Sequence, residues 1–129
     1  MHAKREPLRA LIIDDSRAMR SILSGILGDL SCDVEQAADA EAAASMLESD
    51  HDFDFALVDW NLPGMSGLEL VKIIRDNSEL SAIRLMMVTT ETQLDRVREA
   101  LAAGADEYIM KPFDKDMLLE KLTLLGIEA

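Results

Sequence analysis

The stretch FALVDWNLPGMSG, residues 55–67, runs four apolar residues straight into a carboxylate, Asp59, and then into a Pro-Gly turn. A short continuous apolar run bounded by turn residues reads as a strand covered on both faces, and such strands build parallel sheets. Asp59 closes the run, so a bare charge stands at the strand's carboxyl end. After the turn, Ser66 with Glu69 three residues on forms a capping box for a helix carrying Val71 and Ile74.

The same unit of strand and helix repeats to both sides. LRALIID at 8–14 precedes Met19, Ile22, Leu23, Ile26, Leu27 and Leu30 at helical spacing, and DVEQA at 33–37 precedes Ala40, Ala43, Ala44 and Leu47 behind an Asp39 cap. IRLMMVT at 83–89 is followed by a helix marked by Leu94, Val97 and Leu101 and closed by Gly104. EYIM at 107–110 leads through Pro112 to an Asp114 cap and a last helix with Leu118, Leu122 and Leu125. Parallel neighbours need crossover connections, so five such units predict an α/β fold, a doubly wound (βα)5 parallel sheet in a three-layer sandwich. No linker, repeat or shift of composition interrupts the pattern. Residues 1–129 read as a single domain, with 1–7 expected to fray.

A chain of 129 residues with 49% hydrophobic content suffices for one core. Its 13 Lys and Arg against 25 Asp and Glu give a net charge of -12, which repels nucleic acid phosphates and anionic membrane surfaces. The expectation is therefore no nucleic acid partner, no membrane insertion and a preference for basic protein surfaces. The single cysteine, Cys32, excludes an internal disulfide, and neither a leader pattern nor an apolar run of spanning length occurs. The cytoplasm is the expected compartment. His2 and His51 stand alone, without partners at zinc-ligand spacing.

In doubly wound sheets ligands bind beyond the carboxyl ends of the strands. Those ends carry Asp14-Asp15, Asp59, Thr89-Thr90 and Lys111-Pro112, which converge if strands one, three, four and five are neighbours. Three clustered carboxylates repel one another unless a cation compensates. Mg²⁺ suits the place, because it takes one or two carboxylates, a carbonyl and waters while leaving positions for phosphate oxygens. Asp15 and Asp59 are its natural direct ligands, and the ammonium of Lys111 and hydroxyl of Thr89 suit an incoming phosphoryl group. The set describes phosphoryl transfer onto an aspartate. Taken singly, Asp14 and Asp15 fit a helix cap equally well, Thr89 a plain strand residue and Tyr108 a half-buried edge aromatic.

Four motifs in order, IIDDSRAMR at 12–20, VDWNLPGMSGLEL at 58–70, MMVTTE at 86–91 and AGADEYIMKPF at 103–113, carry a resemblance over essentially the whole chain. The sequence resembles the receiver domain of bacterial two-component response regulators, of the stand-alone CheY-like chemotaxis type. The resemblance implies a flavodoxin-like strand order of 2-1-3-4-5, Asp59 as phosphoacceptor from the phosphohistidine of a sensor histidine kinase, and a site for Mg²⁺ built by Asp14, Asp15, Asp59 and the main-chain carbonyl of Asn61. It implies that Thr89 and Lys111 contact the phosphoryl oxygens, that Tyr108 is a switch aromatic, and that Lys111-Pro112 is a cis peptide. The face made by the fourth helix, fifth strand and fifth helix would bind the target, with the flagellar motor switch as the leading candidate and a phosphatase as a further partner. Such a protein is a monomer that catalyses only its own phosphorylation and dephosphorylation. Asn61, Thr90 and Glu91 would tune those rates; Thr90 stands where the family usually carries alanine or another small residue, and it is expected to narrow the pocket.

Other readings remain beside this one. A phosphate shuttle or sink in a relay, or a receiver cut from a longer regulator, would share every motif. A haloacid-dehalogenase-type phosphatase wants a second aspartate two positions after the nucleophile as general acid, where this chain has Asn61. A flavin module would have its cofactor phosphate repelled by Asp14-Asp15, and a receiver that is never phosphorylated would not need the complete set of site residues.

Overall fold

Strands and helices alternate along the chain in the computed structural model, which describes residues 7–90 and 94–127. In chain order they are β1 (Arg9–Ile13), α1 (Arg17–Asp29), β2 (Asp33–Ala37), α2 (Ala40–Ser49), β3 (Phe55–Asp59), α3 (Gly67–Asp76), β4 (Arg84–Thr89), α4 (Leu94–Ala103), β5 (Glu107–Met110) and α5 (Lys115–Leu124), with a short 3-10 turn over Ser78–Leu80. All strand pairs are parallel, in the order β2-β1-β3-β4-β5. The α/β sandwich and the strand order are those expected. Of the segment expected to fray, only Pro7 lies among the described residues.

Alternation along the strands sorts the apolar side chains into two cores, one on each face of the sheet. Ala10 and Ile12 of β1 join Phe55, Leu57, Met86 and Val88 beneath Leu23 and Leu27 of α1 and Leu118 and Leu122 of α5. Leu11 and Ile13 join Ala56, Val58, Leu85 and Met87 beneath Ala40, Ala43 and Leu47 of α2, Leu70, Val71 and Ile74 of α3 and Ala100 of α4. β3, with every residue buried, is the central strand. β2 is an edge, and its exposed Asp33 and Glu35 put charge where a second chain would otherwise pair.

The helix starts follow local chemistry. Asp39, Ser66 and Asp114 accept hydrogen bonds from the amides of Ala42, Glu69 and Met117, and Glu69 completes the capping box by accepting from Ser66 N–H. α1 starts differently from the helix-cap reading of Asp14 and Asp15: Ser16 is its cap, accepting from Met19 N–H at 3.1 Å. α4 also departs from its apolar pattern. Val97 and Ala100 are its buried residues, whereas Leu94 and Leu101 are 58% and 40% exposed.

At the amino end of the sheet, the Arg75 guanidinium ties α3 to its neighbours. It donates to the carbonyls of Gly104 and Ile83, each at 2.8 Å, and to Asp106 Oδ2 at 2.9 Å. Asp106 in turn accepts from Leu85 N–H at 2.8 Å. Gly104 has φ +122, and a Cβ there would lie 2.3 Å from Arg75 Cγ, so the close approach requires glycine. No helix among the described residues is long and apolar enough to cross a membrane.

Candidate functional site

The opposite end of the sheet gathers the polar residues singled out in the sequence. Asp14 follows β1, Asp59 ends β3, Thr89 ends β4 and Lys111 follows β5. Because β3 lies between β1 and β4, and β4 lies beside β5, these four ends are adjacent. Among the described residues, the buried polar side chains are Asp14 at 1% exposure, Asp59 at 4% and Thr89 at 1%. All three are in this cluster. Burying charge costs several kcal/mol unless it is paired, so their concentration at one spot points to function and not to stability.

Lys111 supplies the pairing. Its Nζ lies 3.0 Å from Asp14 Oδ2 and 3.6 Å from Asp59 Oδ2. Asp14 Oδ1 accepts from Ser16 N–H at 2.8 Å, so both of its carboxylate oxygens are engaged. Asp59 Oδ1 accepts the Asn61 N–H at 3.2 Å. Burial raises the Asp59 pKa; Lys111 opposes that effect, the negative charge of Asp14 adds to it, the Asn61 bond opposes it and Asp15 adds to it. Asp59 is thus a carboxylate held against the cost of its own charge.

Asp15 differs from both. It is exposed, and its carboxylate takes no hydrogen bond from a described residue. One oxygen from each of Asp14, Asp15 and Asp59 lies within 4.8 Å of the others. Three clustered carboxylates, one open to solvent, form an all-oxygen donor set that fits a hard divalent cation and not a soft one. Among the described residues only one ammonium, that of Lys111, reaches this group, so a cation would relieve uncompensated charge.

Of the remaining predicted residues, those described lie on β5 or just after β3 and β4. Lys111 N–H donates to the Thr89 carbonyl at 2.7 Å, and Lys111-Pro112 is a cis peptide. Tyr108 on β5 is half-buried, with Lys121 Nζ 4.6 Å from the centre of its ring. The same Lys121 pairs with Glu107 at 3.1 Å. Asn61 and Thr90 are exposed at the rim, and Glu91 lies outside the described residues.

The sequence alone assigns no role to two further residues of the site, Trp60 and Gly67. Trp60, next to Asp59, is 6% exposed and packs into the core beneath α2 and α3. Gly67 begins α3 pressed against the chain that leaves β3, where a Cβ would lie 2.1 Å from the Asp59 carbonyl oxygen. A glycine at the first position of a helix, directly after its capping serine, was the available signal.

Comparison with known proteins gives these features a family. Residues 10–123 match the response regulator receiver domain. The chain is 41% identical over 115 residues to chemotaxis protein CheY-3 of Vibrio cholerae, covering 89% of this chain and 88% of that one. It is 39% identical over 116 residues to chemotaxis protein CheY of Pseudomonas aeruginosa, with 89% and 93% covered. The structure of the chemotaxis response regulator CheY4 of Vibrio cholerae superposes with a TM-score of 0.86 at 35% identity, over 92% of this chain and 98% of that one. Fold, acidic cluster and sequence agree, and the chain belongs to the response regulator receiver domain family as a CheY-like member.

Proposed function

We propose that the protein is a phosphorylation-dependent signalling switch in which Asp59 accepts a phosphoryl group from the phosphohistidine of a sensor histidine kinase. The observation that carries this reading is the burial of Asp14, Asp59 and Thr89 together, with the Lys111 ammonium against both aspartates. In the transfer, an Asp59 carboxylate oxygen forms the new P–O bond as the P–N bond to the histidine breaks, and the imidazole leaves. Water later cleaves the acyl phosphate, returning phosphate and the free carboxylate. The protein is a signalling protein and not a conventional enzyme; the chemistry it promotes is that of its own aspartate.

Asp15, Asp59 and the Asn61 main-chain carbonyl would hold Mg²⁺, with Asp14 completing the acidic group. When bound, the ion neutralises phosphoryl oxygens during transfer. Lys111 is already placed between Asp14 and Asp59, so a short movement of its ammonium brings it onto a phosphoryl oxygen at Asp59. Thr89 would offer its hydroxyl from the end of β4. A displaced Thr89 gives Tyr108 room to turn, and Lys121, lying over the ring, would have to release it. Asn61, Thr90 and Glu91 would set the rates of phosphorylation and hydrolysis.

The signal would leave through α4, β5 and α5, where Leu94, Leu101, Met117 and Leu124 are exposed apolar side chains. The relatives named as chemotaxis proteins favour a chemotaxis role, with the flagellar motor switch as target and a phosphatase ending the signal. Residues 1–129 form one receiver domain, a cytoplasmic monomer. Trp60, buried beside Asp59, offers the test: with Mg²⁺ present, acetyl phosphate should change its fluorescence, the change should decay as water cleaves the acyl phosphate, and Asp59→Asn should abolish it. A spectrum insensitive to acetyl phosphate in the presence of Mg²⁺ would contradict the reading.

A further inference from the structure

We infer that Arg20 is a positioning residue for the acidic site, fixing the turn between β1 and α1 in the form that receives a divalent cation. The inference rests on the reading of Asp14, Asp15 and Asp59 as a metal site.

Asp14 is almost wholly buried, and each of its polar atoms is held. Its N–H donates to the Ala37 carbonyl at 3.1 Å, and its carboxylate is shared between Ser16 N–H and Lys111. The remaining atom, the main-chain carbonyl, accepts from Arg20 NH1 at 2.8 Å. Arg20 is itself anchored: its Nε donates to Gln36 Oε1 at 3.1 Å, and Gln36 Nε2 donates to Ser24 Oγ at 2.8 Å. A chain of side chains therefore runs from α1 to β2 and back to the carbonyl that precedes Asp15.

Two rigid planes make this chain consequential. The guanidinium is planar, so holding Nε sets the direction in which NH1 points. The peptide is planar too, so holding the Asp14 carbonyl sets the plane from which Asp15 departs. Asp15 is exposed and no described group bonds its carboxylate, which leaves the backbone as the means of aiming it. The Arg20 charge acts in the opposite sense, since a nearby cation repels a second one. Whether the held plane or the charge dominates is a question of sign, and the structure assigns the larger part to the held plane, because both ends of an exposed Gln36 are used to hold the fork.

The test is Mg²⁺ titration of the full chain by calorimetry, with the metal-free melting temperature measured in parallel. Gln36→Leu leaves every charge in place and releases Nε; Arg20→Lys keeps the charge and loses the fork. Both should weaken Mg²⁺ binding by on the order of tenfold, the range found when a group that orients a metal ligand is removed. Gln36 is exposed, so its variant folds, and melting temperatures should stay close to that of the wild type. Gln36→Glu, which keeps an oxygen for Nε, should retain the wild-type affinity or tighten it. Unchanged affinity in Gln36→Leu and Arg20→Lys overturns the inference, as does tighter binding in Arg20→Ala or a loss that merely follows a falling melting temperature. A wild-type chain that binds no Mg²⁺ overturns the metal reading itself and this inference with it.

Discussion

Asp59 concentrates the tension of the molecule in one side chain. It is 4% exposed, faces two other carboxylates and has the Lys111 ammonium 3.6 Å away, and the net effect raises its pKa. A carboxyl with a folded pKa above its unfolded value destabilises the fold once ionised, and the loss is relieved as pH falls through the folded pKa. Asp59→Asn should therefore raise metal-free stability at neutral pH by about 1 kcal/mol. Lys111 keeps its shorter bond to Asp14 in that variant. The gain over the wild type should shrink on acidification and vanish below the ordinary carboxylate range, as thermal unfolding across pH would reveal; a gain that grows on acidification contradicts the electrostatic account. The charged members of this site were legible in the sequence because polar residues that end apolar runs stand out. Trp60 and Gly67 were not, since one is set by packing under α2 and α3 and the other by an approach to the Asp59 carbonyl. Neither contact leaves a periodic trace.

Elements were legible where their ends are set by neighbours in sequence. Asp39, Ser66 with Glu69, and Asp114 cap as expected because a cap involves only residues within one turn. Ser16 was obscured by the two aspartates before it, which compete for the same role. On α4, Leu94 and Leu101 share a helical spacing with Val97, yet the buried stripe is Val97 with Ala100. The small side chain lets α4 lie close, and it leaves the leucines outside. Arg75 belongs to this scale as well, because its bonds join α3 to the strands and loop around β4 and were invisible to local patterns. Arg75→Ala should cost about 2 kcal/mol in urea unfolding, since half-buried carbonyls and Asp106 lose their donor. Arg75→Lys should recover only part of it, lacking the fork that reaches several acceptors. Full recovery by lysine would show that charge alone matters there.

For the molecule as a whole, the sequence made five parallel βα units plain, but the order of the strands required the family resemblance. Periodicity says how a strand is covered, not which strand lies beside it. That order is what brings Asp14, Asp59, Thr89 and Lys111 to one end of the sheet, so the fold is the precondition of the site. With a net charge of -12, any salt should stabilise the chain somewhat by screening. Binding at the acidic cluster adds a term that grows with ligand concentration over its dissociation constant. At matched ionic strength, MgCl₂ should raise the melting temperature above NaCl, and Asp15→Asn should remove most of the surplus. Equal midpoints in the two salts would deny a specific metal site. The claim that all of this serves phosphorylation is tested most directly by mapping the modification itself. After incubation with Mg²⁺ and acetyl phosphate, tandem mass spectrometry of borohydride-trapped protein should find one modified residue, Asp59, and none in Asp59→Asn. Modification at Asp14 or Asp15 instead, or at no residue with any phosphodonor, would contradict the account.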